Sequence, residues 1–260
     1  MEGAGKKLDN LVESGVKLSQ GLKDLVNDHR CYKYYSYLGR IERILDDGSL
    51  VLTNGDRWND KVDKRSFNSD SYPFVRFGIC LTFSRSENVA MWAIYGKKRD
   101  GAPGAMINFS RNQLREIVQS VGEIELLNFS GSDLVSLGFL RKDSFDIYLQ
   151  DVLYVDEKET GKVTIKRSDE RKAVDSHLLE DDEDLITKSY PWFFENECRL
   201  IVKIDRNCLK TSDIVEAVRV QIPKSLIDPL AKKVVLAPGA SVDPGKVYSL
   251  SSLHGKIDWG

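Results

Sequence analysis

The sequence lacks the features of membrane proteins, secreted proteins and strongly basic proteins. Its 260 residues contain no apolar run of about 18 residues, so we expect no membrane-spanning helix. The beginning of the chain, MEGAGKKLDNLVESG, includes no hydrophobic signal core, which favours a cytoplasmic location. The net charge of −2 argues against a molecule that binds nucleic acid over its whole surface, but it is compatible with a local basic patch.

Cysteine and histidine are scarce, which limits metal and triad chemistry. The four cysteines include no Cys-x-x-Cys pair, and the three histidines are far apart in the sequence. We therefore predict no metal site, and a Ser-His-Asp triad has little support. Cys31, Cys80 and Cys198 lie in strand-like segments and are predicted to be reduced core residues.

The familiar glycine motifs for nucleotide phosphates are also missing. No Gly-x-Gly-x-x-Gly follows a predicted strand, and there is no Walker lysine motif. The GAPG sequence at 101–104 is typical of a turn. If the protein binds a nucleotide, it must do so by another route.

What the chain does contain is a series of strands and helices without regular βαβ alternation. Such a pattern predicts an α+β domain rather than a doubly wound sheet. The predicted strands are 31–36, 49–53, 77–84, 105–110, the end of 146–156 and 197–203, and a strand plus turns is predicted in 232–245 after the segment 216–223. The predicted helices are 39–48, which ends at Gly48, then 87–96, and the helix that follows a cap at Ser110.

Two segments differ from the rest of the chain. Residues 1–28 contain an amphipathic helix that either packs on the single domain of residues 29–260, the commoner outcome, or docks a partner. Within that domain, residues 157–188 are highly charged and poor in aromatic side chains. We predict that they form a solvated helix or excursion.

The most informative segment is YPWFFENECRLIV, residues 190–202. The alternation in its second half predicts a β-strand with one buried face. Glu195 and Glu197 are two residues apart, so on a strand they would project from the same side, directly after a cluster of aromatic rings. Paired carboxylates suggest a site, but Glu197 followed by Arg199 is also typical of an ion pair on a solvated strand.

Several motifs together resemble those of a widespread bacterial family of unknown function. The matching segments are YKYYS, RWNDKVD, CLTFSRSENVAMWAIYG, GAMINF, VLYVD and WFFENECRLIV, within residues 31–203. The chain departs from the family pattern at Trp58, at Lys61 and in the run from Gly96 to Lys98. The family layout is similar to the ADP-ribosyltransferase superfamily, and FSRSENVAMWAIYG is similar to a segment of toxins that ADP-ribosylate DNA bases. The resemblance implies a split, clamp-like β-sandwich with flanking helices that holds NAD.

In this resemblance, the NAD site is divided among three strands and a helix. The first strand contributes Lys33 and Tyr34, with Arg30 or Tyr32 as alternatives to Lys33. The middle strand and the helix after it contribute Thr82, Ser84, Trp92 and Tyr95. One of the two helix rings would stack on the nicotinamide, and the other would be a core residue.

The late strand would carry the catalytic carboxylates. Cleavage of the nicotinamide–ribose bond develops positive charge on the sugar, and a nearby carboxylate stabilises that charge, as in glycoside cleavage. The resemblance implies Glu197 for this role, and it implies Glu195 as the group that binds or deprotonates the acceptor nucleophile.

The acceptor is implied by the same resemblance and by basic residues near the predicted cleft. RNA is favoured over duplex DNA, because a base must be unstacked before it is modified. The implied acceptor-binding residues are Asn59, Asp60, Lys97, Lys98 and Arg99, although a solvated turn explains Asn59 and Asp60 equally well. We expect a toxin of a toxin–antitoxin or phage-defence module, with an antitoxin protein as a further partner. The alternatives are a host-protein acceptor, NAD hydrolysis, and a catalytically inactive scaffold that binds a partner through its N-terminal helix.

Overall fold

The structure, a computed structural model, describes residues 31–55, 58, 72–84, 88–97, 102–131, 133–159, 162–167, 170–175, 186–210 and 214–239. Side chains at 31–32, 83–84, 151 and 155–175 lie outside this description. The predicted N-terminal helix also lies outside the described residues. Among the helices that are described, none combines the length and the apolar composition needed to cross a membrane.

The described part of the chain is mostly β-strand with a few helices, which confirms the mixed α+β class. The strands are β1 (Cys31–Tyr37), β2 (Ser49–Thr53), β3 (Phe74–Ser84), β4 (Gly104–Phe109), β5 (Glu123–Ser130), β6 (Asp133–Arg141), β7 (Phe145–Asp151), β8 (Leu153–Glu159), β9 (Lys162–Arg167), β10 (Glu170–Asp175), β11 (Thr187–Ser189), β12 (Glu197–Asp205), β13 (Ala217–Gln221) and β14 (Val234–Leu236). The helices are α1 (Leu38–Asp46), α2 (Val89–Ile94), α3 (Arg111–Ser120) and α4 (Lys224–Ala231), with 3₁₀ turns at Lys142–Ser144, Tyr190–Glu195 and Arg206–Cys208.

The main sheet has ten described strands and divides at β3. Its principal path is β14-β4-β1-β3-β2-β13-β5-β6, and β12 joins β3 to β7 off this path. One edge of β3 pairs with β12 along its length, whereas the other edge pairs with β1 at residues 82–84 and with β2 only at Gly78. No described strand pairs with residues 79–81 on that edge. The strands β1 and β2 therefore separate there and leave a gap in the sheet.

A smaller sheet, in the order β10-β9-β8-β11, covers part of the main sheet. Its strands are antiparallel apart from the parallel pair formed by β8 and β11. Side chains from both sheets meet in a buried cluster of Val152, Tyr154, Ile186 and Ile201, with Trp58 and Tyr148 packed around it. This contact buries the face of β12 that points away from the main core.

Local sequence signals explain several of these elements. Helix α1 buries one face against the main core through Leu38, Ile41, Ile44 and Leu45. It ends where Gly48 adopts a φ of +58°, a left-handed conformation that glycine reaches without steric cost. Helix α3 begins at a capping box in which the Ser110 hydroxyl accepts from the Gln113 N–H at 3.3 Å and the Gln113 side chain accepts from the Ser110 N–H at 2.9 Å.

The predicted strand at the end of 146–156 is confirmed as part of β8, and a second strand, β7, precedes it across Val152. Two sequence predictions need correction. A helix is wrong for the charged excursion, because most of its described residues form the end of β8, β9, β10 and the start of β11. The β-branched run in KVTIKR favours such strands. Strand β12 is buried on both faces rather than one, because the smaller sheet covers its second face.

Candidate functional site

A cavity of about 270 Å³ lies where β1 and β2 separate over β3. Strand β3 contributes residues 78–82 to its lining, and β12 contributes Glu197. The remaining walls come from β1, α1, β2, α2, β11 and the 3₁₀ turn Tyr190–Glu195. The gap in the sheet is therefore the place where residues from distant parts of the chain meet.

Strand register places three predicted site residues in one row. Lys33 of β1 lies opposite Thr82 of β3, and Thr82 lies opposite Glu197 of β12. Directly opposite residues on neighbouring strands project from the same face of a sheet, and all three line the cavity. The next row on this face pairs Cys80 with Arg199. The polar residues of β3 and β12 thus belong to one surface.

The two glutamates converge on a single buried lysine. Lys188 Nζ, on β11, lies 2.6 Å from a Glu195 carboxylate oxygen and 3.2 Å from Glu197 Oε2. Arg199 Nε donates to the other oxygen of Glu197 at 2.6 Å. All four side chains are buried, so these ion pairs are only weakly screened by solvent.

Strand alternation does not bring Glu195 and Glu197 together. Glu195 ends the 3₁₀ turn, and Asn196 follows it with a φ of 43° in the left-handed region. Only Glu197 belongs to β12. The carboxylates meet because this turn redirects the chain and because Lys188 attracts both of them.

The environments of the two carboxylates shift their pKa values in opposite directions. Burial alone would raise the pKa of Glu197, but Arg199 and Lys188 outweigh burial and lower that pKa to about 2. The pKa of Glu195 is raised, because burial and the charge of Glu197 outweigh the attraction of Lys188. Separated pKa values within one pair of carboxylates are typical of an acid–base division of roles.

Tyr95 lines the cavity, whereas Trp92 does not. The Tyr95 hydroxyl donates to Glu195 Oε1 at 2.5 Å. Burial and this contact raise the pKa of Tyr95, so the phenol stays protonated. Trp92 is buried in a cluster with Met91 and packs edge-on against Tyr35 at a ring-centroid distance of 4.9 Å. Of the two predicted stacking rings, Tyr95 is therefore the one that reaches the cavity.

The prediction that Cys80 is a core residue is wrong. Its side chain is exposed and lines the cavity, whereas Cys198 is buried in the main core. Although Cys80 is open to the cavity, the surrounding protein partly desolvates its thiol, and this desolvation, followed by the charge of Glu197, raises the pKa of Cys80 and keeps it protonated. Beside it, Thr82 Oγ1 is buried and has no hydrogen-bond partner in the described part of the chain, which leaves a polar atom at the cavity wall.

The remaining predicted site residues differ in whether they line the cavity and in whether the structure describes them. Tyr34 lines the cavity, and Ser84 is placed by its backbone at the end of β3. Lys97 is exposed just after α2 and does not line the cavity. Asn59, Asp60, Lys98 and Arg99 lie outside the described residues.

The sequence predictions missed Lys188, and the alternative of a solvated ion pair between Glu197 and Arg199 is wrong because this pair is buried. Lys188 stands at the end of a highly charged segment that resembles a solvated one, so no local signal marks it. Arg199 is fully buried, with its guanidinium 4.4 Å from the centre of the Trp58 ring, rather than part of a solvated ion pair. The sequence did contain a signal for this burial, because Arg199 stands within an apolar strand, two residues after Glu197.

None of the protein-family models, curated proteins or solved structures matches this chain. The functional conclusion therefore depends on the residues and geometry of the chain itself.

Proposed function

We propose that this chain is an NAD-dependent mono-ADP-ribosyltransferase with the split β-sandwich of that superfamily. It transfers ADP-ribose to a nucleic acid, with RNA as the favoured acceptor, and acts as a cytoplasmic bacterial toxin of a toxin–antitoxin or phage-defence module. The observation that carries this proposal is Glu197, an ionised carboxylate at the wall of a cavity where the main sheet divides.

The charge of Glu197 suits cleavage of the nicotinamide–ribose bond. As the nicotinamide leaves, positive charge develops on the ribose, and a fixed carboxylate stabilises it without reorganisation. A pKa of about 2 keeps Glu197 ionised at neutral pH, even though it is buried. Lys188 and Arg199 hold both of its oxygens in place, so the carboxylate is oriented before a ligand arrives.

Glu195 suits the second half of the reaction. A general base works best when its pKa lies near the working pH, and the raised pKa of Glu195 moves it in that direction. Glu195 would accept the proton of the acceptor nucleophile as that nucleophile bonds to the ribose carbon that nicotinamide has left. The Tyr95 hydroxyl holds one Glu195 oxygen, and the Tyr95 ring offers an aromatic face to nicotinamide.

The proposal of RNA rests on the sequence near the cavity. Lys97 is exposed directly after α2, the helix that carries Tyr95 into the cavity wall. Lys98 and Arg99 follow it in the chain. A basic run at this position would attract the phosphates of a single strand, whose unstacked bases can enter a cavity.

Transfer of label from NAD tests the proposal. The wild type is incubated with labelled NAD and either RNA or total cell protein, at low and high salt. Charge reversal of Lys97, Lys98 and Arg99 together is expected to weaken transfer to RNA, steeply so at low salt, and to spare NAD hydrolysis. The matched control reverses Arg115, Lys224 and Lys232, which are exposed and do not line the cavity.

Each remaining result selects a different function. Label on protein alone, with no effect of the first triple variant, would replace RNA by a host-protein acceptor. Release of free ADP-ribose without any labelled acceptor would identify an NAD hydrolase. Absence of NAD cleavage under every condition would contradict the enzyme and leave a scaffold of the same fold.

A further inference from the structure

A cluster of tyrosine and arginine side chains on β1 and the first turns of α1 adjoins the cavity. We call Tyr34, Tyr37, Arg40 and Arg43 the tyrosine–arginine rim. Arg40 Nη1 donates to the Tyr34 hydroxyl at 3.4 Å, and Arg43 Nη2 donates to the Tyr37 hydroxyl at 2.6 Å. The Arg40 guanidinium also lies 5.8 Å from the centre of the Tyr37 ring. Of the four residues, Tyr34 and Arg40 line the cavity itself.

The two arginines have no acidic partner among the described residues. Their described contacts are tyrosine hydroxyls, a tyrosine ring and, for Arg43, the Gly39 carbonyl. Glu42 and Asp46 stand on the same helix, but neither forms an ion pair with these guanidinium groups in the described part of the chain. An exposed guanidinium that is held by neutral groups keeps its positive charge and several N–H donors available for an anion.

The size and charge of the cavity indicate which kind of ligand would carry an anion to these two arginines. Ligand pockets that enclose a drug-sized molecule measure about 300–1,000 Å³, so a cavity of about 270 Å³ holds only part of a dinucleotide. The rest of such a ligand must extend across the mouth. Among the described residues, the charged ones that line the cavity are Lys33, Arg40, Lys188, Glu195 and Glu197. Three cations therefore face two carboxylates, which leaves one net positive charge in the described part of the lining.

We propose that the tyrosine–arginine rim binds the phosphate groups of the nucleotide whose other end enters the cavity. Arg40 and Arg43 donate hydrogen bonds to phosphate oxygens, for which the planar guanidinium is well suited. Tyr34 and Tyr37 orient the two guanidinium groups and offer ring faces to the attached sugar or base. This inference rests on the proposed function for the identity of the ligand, the diphosphate of NAD, but it does not require NAD to be cleaved.

Binding of unreactive phosphate ligands tests the rim. The probes are ADP-ribose and ADP, which carry a diphosphate, nicotinamide riboside, which carries no phosphate, and a single-stranded RNA oligonucleotide. The variants are Arg40→Gln and the double variant Arg40→Gln with Arg43→Gln, and Arg115→Gln on α3 is the control, since it is exposed and outside the cavity lining. We expect the double variant to bind ADP-ribose and ADP at least tenfold more weakly, because each guanidinium supplies charge-assisted hydrogen bonds. Nicotinamide riboside and the control should be unaffected.

The outcomes show whether the rim binds phosphate at all and, if it does, whether that phosphate belongs to a dinucleotide or to RNA. Weaker binding of ADP-ribose and ADP supports the rim and assigns it to the dinucleotide. Weaker binding of RNA alone supports the rim and assigns it to the acceptor. Unchanged binding of ADP-ribose, ADP and the RNA oligonucleotide by the double variant overturns the proposal, and so does a wild type that binds none of these three. If the double variant does not fold, Arg40→Lys serves instead, because it keeps the positive charge and removes the planar set of N–H donors. An effect of less than about threefold on ADP-ribose binding would then contradict hydrogen bonding of the Arg40 guanidinium to phosphate.

A failure of the rim can be distinguished from a failure of the proposed function. If the wild type binds ADP-ribose through Arg40 and Arg43 but never cleaves NAD, the rim stands and the transferase does not. If the wild type cleaves NAD and the double variant has an unchanged KM, the transferase stands and the rim is overturned. A rise in KM with little change in kcat is the result expected when both are correct, because these arginines hold the substrate away from the bond that breaks.

Discussion

Replacing Glu197 by glutamine removes its charge with little change in volume, and we expect it to abolish NAD cleavage while the protein still folds. The amide can still occupy the space between Lys188 and Arg199 and accept one hydrogen bond. It cannot stabilise positive charge on the ribose. The loss of one electrostatic group that acts in the transition state lowers kcat by about 10²–10³, so nicotinamide release should fall at least a hundredfold.

The same substitution has a stability cost that follows from the pKa of Glu197. The pKa falls from an ordinary value of 4.5 to about 2 in the folded protein, and at roughly 1.4 kcal/mol per pKa unit this corresponds to about 3 kcal/mol. The pKa is depressed, so the stabilisation is present above pH 4.5 and is lost as the pH falls towards 2. Glu195, with its raised pKa, opposes part of this dependence.

Two assays read these effects. Nicotinamide release measures cleavage, and chemical unfolding at pH 7 and at successively lower pH measures stability. The glutamine variant should lose about 3 kcal/mol at pH 7, and its difference from wild type should shrink below about pH 4.5. The control is Glu125→Gln, which breaks a partly buried ion pair with Arg219 outside the cavity lining and should keep full cleavage. Wild-type turnover by the Glu197 variant would refute the catalytic assignment, and an equal loss of stability at pH 7 and pH 3 would refute the electrostatic reasoning.

Three further changes separate the roles of the neighbouring residues. Lys188→Met should cost about 3–5 kcal/mol at pH 8, because it removes the cation that Glu195 and Glu197 share. The cost should decrease as the pH is lowered, because the raised pKa of Glu195 favours its protonation. Urea unfolding over a pH series measures this, and a cost independent of pH would contradict it. Glu195→Gln should lose transfer of label to an acceptor but retain NAD hydrolysis, and equal loss of both would show that Glu195 does not face the acceptor. Tyr95→Phe should lower NAD cleavage with little effect on thermal unfolding, because it removes the hydroxyl that contacts Glu195. Trp92→Ala should instead cost about 3–5 kcal/mol of stability, because it empties a buried cluster. The reverse pattern would make Trp92 the ring of the site and Tyr95 the core residue.

The strand and helix pattern was predictable where the signals are local. Helix caps are local, so Ser110 and Gly48 marked the ends of their helices correctly. Strands β1, β2, β3, β4 and β12 follow from alternating or continuous apolar runs, and the structure confirms them with small changes of boundary. Strands β5 and β6 and helix α4 were not predicted, because the alternation of β5 and β6 is interrupted by a bulge near Leu126 and because α4 contains Pro229.

The sequence by itself determined which residues of the candidate site stand on strands. Lys33, Thr82 and Glu197 each lie in a segment whose pattern predicts a strand. Their arrangement in one row was not determined by any of those segments, because it depends on the register between strands that are far apart in the chain. The resemblance to a family suggested the grouping, and the strand register places these residues side by side.

Only the tertiary structure decided the charge state of the site. Lys188 comes from a strand of the smaller sheet, and its contact with Glu195 and Glu197 depends on how that sheet covers β12 and on the left-handed turn at Asn196. A carboxylate at the surface would keep an ordinary pKa, whereas a buried carboxylate between two cations does not. Burial and the distance between charges are properties of the packed protein, so a sequence can supply the ionisable groups but cannot fix their ionisation.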